Sequence, residues 1–131
     1  MTATDNCDPL YSRQRGEGNP LVIYLVRHGE TAWSLTGQHT GNTDLALTRH
    51  GEEQALARAP ALSAIDFDYV LTSPALRARQ TCGLAGFDGQ AVVDAEPAEW
   101  DYGHYEGIRS IAMRNTLPGW HTTQDGSPKG A

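Results

Sequence analysis

The sequence predicts an α/β fold with a mainly parallel sheet flanked by helices, and two observations carry that expectation. One is the unbroken apolar, largely β-branched run Leu21-Val22-Ile23-Tyr24-Leu25-Val26, which reads as a strand buried on both faces, the habit of parallel strands. The other is order: strand-like and helix-like segments alternate after that run, and such alternation builds βαβ units with helices on the sheet faces.

The elements follow in turn. Gly16, Gly18 and Pro20 separate a polar leader, residues 1–19, from the first strand. Residues 27–47 hold Gly29, Gly37 and Gly41 among Thr, Asn and Asp without any period, so a long loop is expected, and loops of this length in compact domains tend to be functional. Thr48 is placed to cap a helix, with Glu52 and Glu53 in its first turn where the helix dipole favours negative charge. That helix is expected to reach about Ser63, bent or broken near Pro60, with Ala55, Leu56, Ala59 and Leu62 as one buried stripe. Phe67 to Thr72 reads as a second strand. Ser73-Pro74 then opens a helix from Ala75 to about Leu84, and Ala91-Val92-Val93 is a third strand. Gly107 to Thr116 suits a further helix, and Pro118, Gly119, Gly126, Pro128 and Gly130 predict coil from there on.

With 131 residues, 39% of them apolar and 20% charged, the chain is sized and composed for one globular domain. Its longest aliphatic run is far short of the ~20 residues that cross a bilayer, and the leader lacks a signal-peptide core, so a cytoplasmic protein with no membrane partner is expected. A net charge of −6 argues against nucleic acid, whose binders need a basic face. An anion must therefore be held by a local basic pocket. Cys7 and Cys82 have no disulfide or metal spacing and are expected as free thiols.

Ligands of open α/β sheets bind beyond the carboxyl ends of the strands, and Arg27-His28-Gly29 follows the first strand directly. A guanidinium offers a planar fork to phosphate oxygens, a neutral imidazole offers a nitrogen nucleophile, and Gly29 lets backbone approach a ligand. A second Arg-His-Gly-Glu, at Arg49 to Glu52, opens a helix instead of following a strand, so His50 is expected at the surface. His104 and His121 lack a strand context too. No pair among the five histidines has ligand spacing, so neither metal nor cofactor is expected.

Arg27-His28-Gly29-Glu30-Thr31 and the motifs after it resemble the histidine phosphatase superfamily, phosphoglycerate mutase-like branch. Gly37-Gln38-His39-Thr40-Gly41 with Thr43-Asp44-Leu45-Ala46-Leu47-Thr48 is similar to the family's loop and first-helix entry. Leu71-Thr72-Ser73-Pro74 with Arg77-Ala78-Arg79-Gln80-Thr81 resembles its second strand and helix, and Glu99-Trp100-Asp101-Tyr102-Gly103 with Tyr105-Glu106-Gly107 its proton-donor segment. The resemblance covers roughly residues 21–128 and implies a three-layer sandwich of the phosphoglycerate mutase type. It also implies the roles: His28 takes the phosphoryl group, Arg27 and Arg77 clamp it, Thr40 and Gly41 contact it, and Glu99 protonates the leaving oxygen from a partly buried position. Paired arginines neutralise the equatorial oxygens without a metal, and a carboxylic acid beside the phosphate suits proton donation.

The chain departs from the family pattern at its end. The family's second catalytic histidine lies on a later strand, beyond a loop that Gly126 to Ala131 resembles in its entry, and no histidine here carries over to that role. Residues 20–131 thus read as the amino-terminal part of such a domain, incomplete at the carboxyl end. An unfilled place beside the first strand invites pairing with another chain, which leaves homo-oligomers open. Ser34 and Asn42 stand where relatives often have Asn and Arg, so Ser34 is a candidate contact to the rest of the substrate. About 27 residues separate Glu99 from Gly126, too few for the insertion mutases use, which favours a phosphatase of a small phosphorylated metabolite over a mutase. A remnant that binds phosphate without turnover, and a structural or interaction module in which the motifs are idle, are the other readings.

Overall fold

The computed structural model describes residues 20–126, so the expected leader, Cys7 and the loop entry at residues 127–131 lie outside the described residues. The first departure from expectation comes at once. Residues 21–26 form no strand, and both sets of side chains face solvent, with Leu21 87% and Leu25 92% exposed. A strand buried on both faces needs neighbours at its edges and a layer over each face, and the described residues supply neither. Only Tyr24 finds an aromatic partner there, meeting the Phe67 ring edge-on at 5.4 Å.

The expected loop 27–47 contains a short helix, α1 (Ala32–Thr36), closed at both ends. Thr31 and Ser34 cap it reciprocally, each side chain accepting the other's backbone N–H, and Gly37 ends it in the left-handed region at φ 76°, where glycine carries no Cβ penalty. Five residues are too few to show a period, which is why composition alone missed it. Helix α2 (Arg49–Ser63) begins as expected, with the Thr48 hydroxyl accepting from the Gly51 N–H at 3.0 Å. It runs through Pro60 unbroken. The expected stripe is narrower than its period suggested: Ala55 is buried, Ala59 and Leu62 are half-buried, and Leu56 is exposed.

A parallel unit follows. Strands β1 (Leu71–Thr72) and β2 (Val92–Val93) pair in parallel, Leu71 opposite Val92 and Thr72 opposite Val93, and both are shorter than the expected segments. Between them α3 (Leu76–Cys82) continues into a π-helical turn, Gly83–Phe87, broken at Gly86 where φ reaches 101°. Helix α3 lacks a side-chain cap at Ala75, and the Asp44 carboxylate fills that need by accepting from the Leu76 N–H at 2.7 Å. Beyond β2 come a 3-10 turn, Gly103–Tyr105, then α4 (Ser110–Thr116) and a single turn, α5 (Thr122–Asp125), where coil was expected. Leu47, Ala55, Ala85, Tyr102 and Met113 are the buried apolar residues among those described. Cys82 is a free, half-buried thiol whose pKa burial pushes up. No helix among the described residues is long and apolar enough to cross a membrane.

Candidate active site

A cavity of about 210 Å³ opens where the first segment turns at Arg27, lined by Arg27, His28, Ser34, His39, Thr40, Glu99, Tyr102 and Ser110 among others. A larger groove of about 570 Å³ between α2 and the π-helical turn is walled by Leu56, Ala59, Pro60, Ile65 and Phe87 among others and holds no acid, base or cation. Chemistry therefore points to the smaller one.

His28 is half-buried, and its Nδ1 lies 2.7 Å from the Gly29 carbonyl oxygen. A carbonyl only accepts, so Nδ1 carries the proton and Nε2 keeps its lone pair. Burial lowers the His28 pKa, the bond to the Gly29 carbonyl and the Glu99 charge oppose that, and the Arg77 and Arg27 charges lower it further. The net effect is a neutral imidazole near pH 7 with one basic nitrogen free.

The loop that walls the cavity is held from two sides. On one side α3 grips it: Arg77, only 3% exposed, donates to the Thr43 carbonyl at 3.2 Å and the Gly41 carbonyl at 3.1 Å, and Leu47 N–H donates to the Gln80 side chain at 2.9 Å. On the other, the Glu106 carboxylate accepts the N–H groups of Gly41, Asn42 and Thr43 at 2.7, 3.0 and 3.2 Å. Burial pushes the Glu106 pKa up, but the bonds from Thr43, Gly41 and Asn42 outweigh it and hold the carboxyl below its ordinary value. Arg77 has no carboxylate within ion-pair distance among the described residues. A buried guanidinium held by carbonyls keeps its positive charge close enough to act on His28, and such a charge favours a bound anion.

Residues 23–131 match the sequence profile of the histidine phosphatase superfamily (branch 1). The chain belongs to that superfamily. It is 41% identical over 110 residues to an acid phosphatase of Mycobacterium tuberculosis, covering 82% of this chain and 54% of that one. It is 38% identical over 130 residues to a sedoheptulose 1,7-bisphosphatase of Saccharomyces cerevisiae, covering 81% and 48%. Among solved structures, an open reading frame product of M. tuberculosis superposes with a TM-score of 0.70 at 41% identity, over 77% of this chain and 53% of that one. A phosphoserine phosphatase of Entamoeba histolytica, solved with 3-phosphoglyceric acid, gives 0.64 at 31% identity over 77% and 52%. The fold is thus that of the phosphoglycerate mutase-like proteins, and the chain spans about half the length of the relatives it matches.

Within this family frame, the cavity brings together five of the expected site residues: Arg27, His28, Ser34, Thr40 and Glu99. Gly29, Gly41 and Arg77 do not line it. Gly29 is buried with its N–H donated to the Thr81 hydroxyl at 3.0 Å, so the approach that requires a glycine there is to backbone of the protein and not to a ligand. A Cβ on Gly29 would fall 2.3 Å from the Gly51 carbonyl oxygen. Gly41 is buried as well, with its N–H on Glu106 and its carbonyl on Arg77. Glu99 is exposed, not partly buried as expected, and its Oε1 accepts from the Trp100 N–H at 3.0 Å. His50 is at the surface, as its place in a helix predicted.

Glu106 and His39 are among the residues at the site that sequence reasoning did not single out. Glu106 gathers the loop amides, and the only signal was its place in a quoted motif. His39 forms part of the cavity wall, its Nε2 3.2 Å from the Ser110 hydroxyl and its ring tilted on Tyr102 at 4.8 Å. Burial holds His39 below the ordinary imidazole range despite Glu99 and Glu106 nearby.

Proposed function

We propose that this site hydrolyses phosphomonoesters of small metabolites through a phosphohistidine on His28. The observation that supports the reading is the Nδ1 bond of His28 to the Gly29 carbonyl, which leaves Nε2 with its lone pair in the cavity that Arg27 and Glu99 also line.

In the first step the Nε2–P bond forms while the P–O ester bond breaks, and the departing oxygen takes a proton from the Glu99 carboxyl. Arg27 binds the equatorial oxygens at the rim, and Arg77 stabilises their charge from beneath while its two hydrogen bonds keep the Gly41 to Thr43 turn in place. In the second step Glu99 takes a proton from water, the oxygen attacks phosphorus, the P–N bond breaks, and inorganic phosphate leaves. Both steps balance without a metal or redox partner. Thr40 and Ser34 stand beside the phosphate position and face the remainder of the substrate. That wall also includes Gln38, His39 and Ser110, all neutral hydrogen-bonding groups, which supports a hydroxylated carbon chain such as a sugar phosphate. Gly29 and Gly41 act by letting the walls approach one another.

Trapping tests this. Brief incubation with p-nitrophenyl phosphate and alkaline quench should leave acid-labile phosphate on the peptide holding His28, absent in His28→Ala and retained in His50→Ala. Label on another residue, or label that survives His28→Ala, would sink the reading.

A further inference from the structure

His39 takes no part in the proposed reaction, yet its ring is fixed in the cavity wall from several sides. Its backbone N–H donates to the Ile108 carbonyl and its carbonyl accepts from the Gly107 N–H, both at 2.9 Å. The ring lies tilted on Tyr102 at 4.8 Å and edge-on to Trp120 at 6.1 Å, with Nε2 3.2 Å from the Ser110 hydroxyl. Ser110 is tied to the same strip, its N–H donating to the Gly37 carbonyl at 3.0 Å. The other ring nitrogen of His39, Nδ1, has no hydrogen-bond partner among the described residues. Neighbouring polar groups of the wall are more fully committed. The Ser34 hydroxyl accepts from the Thr31 N–H and donates to the Thr31 carbonyl, and the Gln38 amide donates to the Gly107 carbonyl.

The unspent bonding capacity of this pair limits what it can hold. Burial keeps the His39 imidazole below its ordinary range despite Glu99 and Glu106 nearby, so near pH 7 it is neutral, with one donor and one acceptor. A serine hydroxyl has one donor and two acceptors. Whichever partner donates in the bond between them, one donor and two acceptors remain. That set matches an alcohol hydroxyl, which both donates and accepts. It suits a second phosphate or a carboxylate poorly, since these bring mainly acceptors and call for a cation, and of the described lining residues only Arg27 carries a fixed positive charge. The place is also right. The Glu99 charge acts on both His28 and His39, so both imidazoles lie near the carboxyl group assigned to protonate the departing oxygen. His39 therefore stands on the leaving-group side of the cavity, next in sequence to Thr40.

We infer that His39 and Ser110 form a hydroxyl-recognition subsite for the alcohol part of the substrate, so that the cavity selects phosphate monoesters of hydroxylated alcohols over those of plain alkyl chains. The inference deepens the proposed reading of the cavity and rests on it. His39 acts here as a specificity residue and exchanges no proton with the reacting atoms. Its fixed ring is preorganised for this, and a preorganised group binds at lower entropic cost.

The test compares glycerol 3-phosphate with propyl phosphate, the same carbon chain without its hydroxyls. Dissociation constants are measured by calorimetry on the 131-residue chain, so the readout does not depend on turnover. Glycerol 3-phosphate should bind at least about tenfold more tightly, because a site built to bond a hydroxyl rejects the analogue that lacks it. In His39→Phe that preference should largely vanish, whereas His39→Gln, which keeps a donor and an acceptor, should retain most of it. Arg27→Ala should weaken both esters alike and leave their ratio standing. Because His39→Phe can fail to fold, a second measurement uses the unaltered chain: the ring nitrogen resonances of His39 should shift with glycerol 3-phosphate and stay in place with propyl phosphate. Equal affinity for the two esters, a preference that survives His39→Phe, or the same resonance shift with both esters would overturn the inference. The phosphohistidine trap reads the reaction separately. Label on His28 with equal ester affinities removes the subsite alone, and no binding of either ester or of inorganic phosphate removes both.

Discussion

Gly29 and Gly51 pack backbone against backbone, the two glycines of the two Arg-His-Gly-Glu tetrapeptides meeting where the loop that carries His28 crosses the start of α2. A Cβ on Gly51 would lie 2.2 Å from the Glu30 carbonyl oxygen, and one on Gly29 2.3 Å from the Gly51 carbonyl oxygen. Both obstacles are main chain, which cannot swing aside. Thr48 closes the same junction, its N–H and hydroxyl reaching the Glu30 carbonyl and carboxylate at 2.9 and 2.7 Å.

A sign reversal follows. Glycine inside a helix ordinarily costs about 1 kcal/mol relative to alanine, so Gly51→Ala should stabilise on propensity alone. Here overpacking of roughly 1–3 kcal/mol opposes it, and the substitution should destabilise. Urea denaturation of Gly51→Ala beside Arg58→Ala, an exposed α2 control, measures the difference. An increase in stability for Gly51→Ala would show that the contact is not tight.

The two arginines should separate by readout. Arg27 is exposed at the cavity rim, whereas Arg77 is buried and holds two carbonyls. Each substitution to Ala should weaken vanadate or phosphate binding by roughly 1–3 kcal/mol, Arg27→Ala through loss of a charge-assisted contact and Arg77→Ala through loss of a nearby buried positive charge. Only Arg77→Ala should also lower the unfolding midpoint, because it strands the Gly41 and Thr43 carbonyls. Calorimetry with denaturation on both variants decides it, and equal stability losses would remove the distinction.

Acid should loosen the site through Glu106. Its carboxyl titrates below the ordinary glutamate value in the folded chain, so the folded state binds fewer protons than the unfolded one as pH falls through the carboxylate range. Stability from this group is therefore fully present above the unfolded pKa and is lost as pH drops through the folded one. Glu106→Gln should cost roughly 1–3 kcal/mol at pH 7, and its difference from wild type should shrink as acid protonates Glu106. A difference that stays constant from pH 7 to 3 would mean that the three loop amides do not depend on the charge.

These residues also show what could be read from sequence. The start of α2 and the parallel pairing of β1 and β2 were legible because Thr48, Pro74 and the β-branched Val92-Val93 act locally. That Arg27, His28 and Glu99 line one cavity was legible because an ordered set of motifs specifies them together. The Gly29 to Gly51 approach and the Glu106 cradle were not, since the first brings backbone to backbone across 22 residues and the second a carboxylate to backbone N–H groups 63 to 65 residues away, with no periodic signature. The run at 21–26 was misread for another reason: its pattern records the neighbours a strand needs, and the described residues do not include them.

The same run sets the last expectation, which concerns rate. His28 follows directly from the exposed segment, and among the described residues its ring is held by a bond to the adjacent residue's carbonyl. A nucleophile carried on an unpaired segment samples positions, and a displacement of ~1 Å can cost about 100-fold. A missing hydrogen-bond donor to the transferring phosphoryl group typically costs about 100- to 1000-fold more, and the resemblance places such a donor, a second histidine, outside this sequence. The 131-residue chain alone should therefore turn over p-nitrophenyl phosphate at least about 100-fold more slowly than a form extended with a family-like carboxyl-terminal segment bearing that histidine. Rates are compared at equal folded concentration, with His28→Ala in the extended form as the zero. Comparable rates in the two forms would show that Arg27, His28, Arg77 and Glu99 suffice, and that the exposed segment holds His28 in place without a partner.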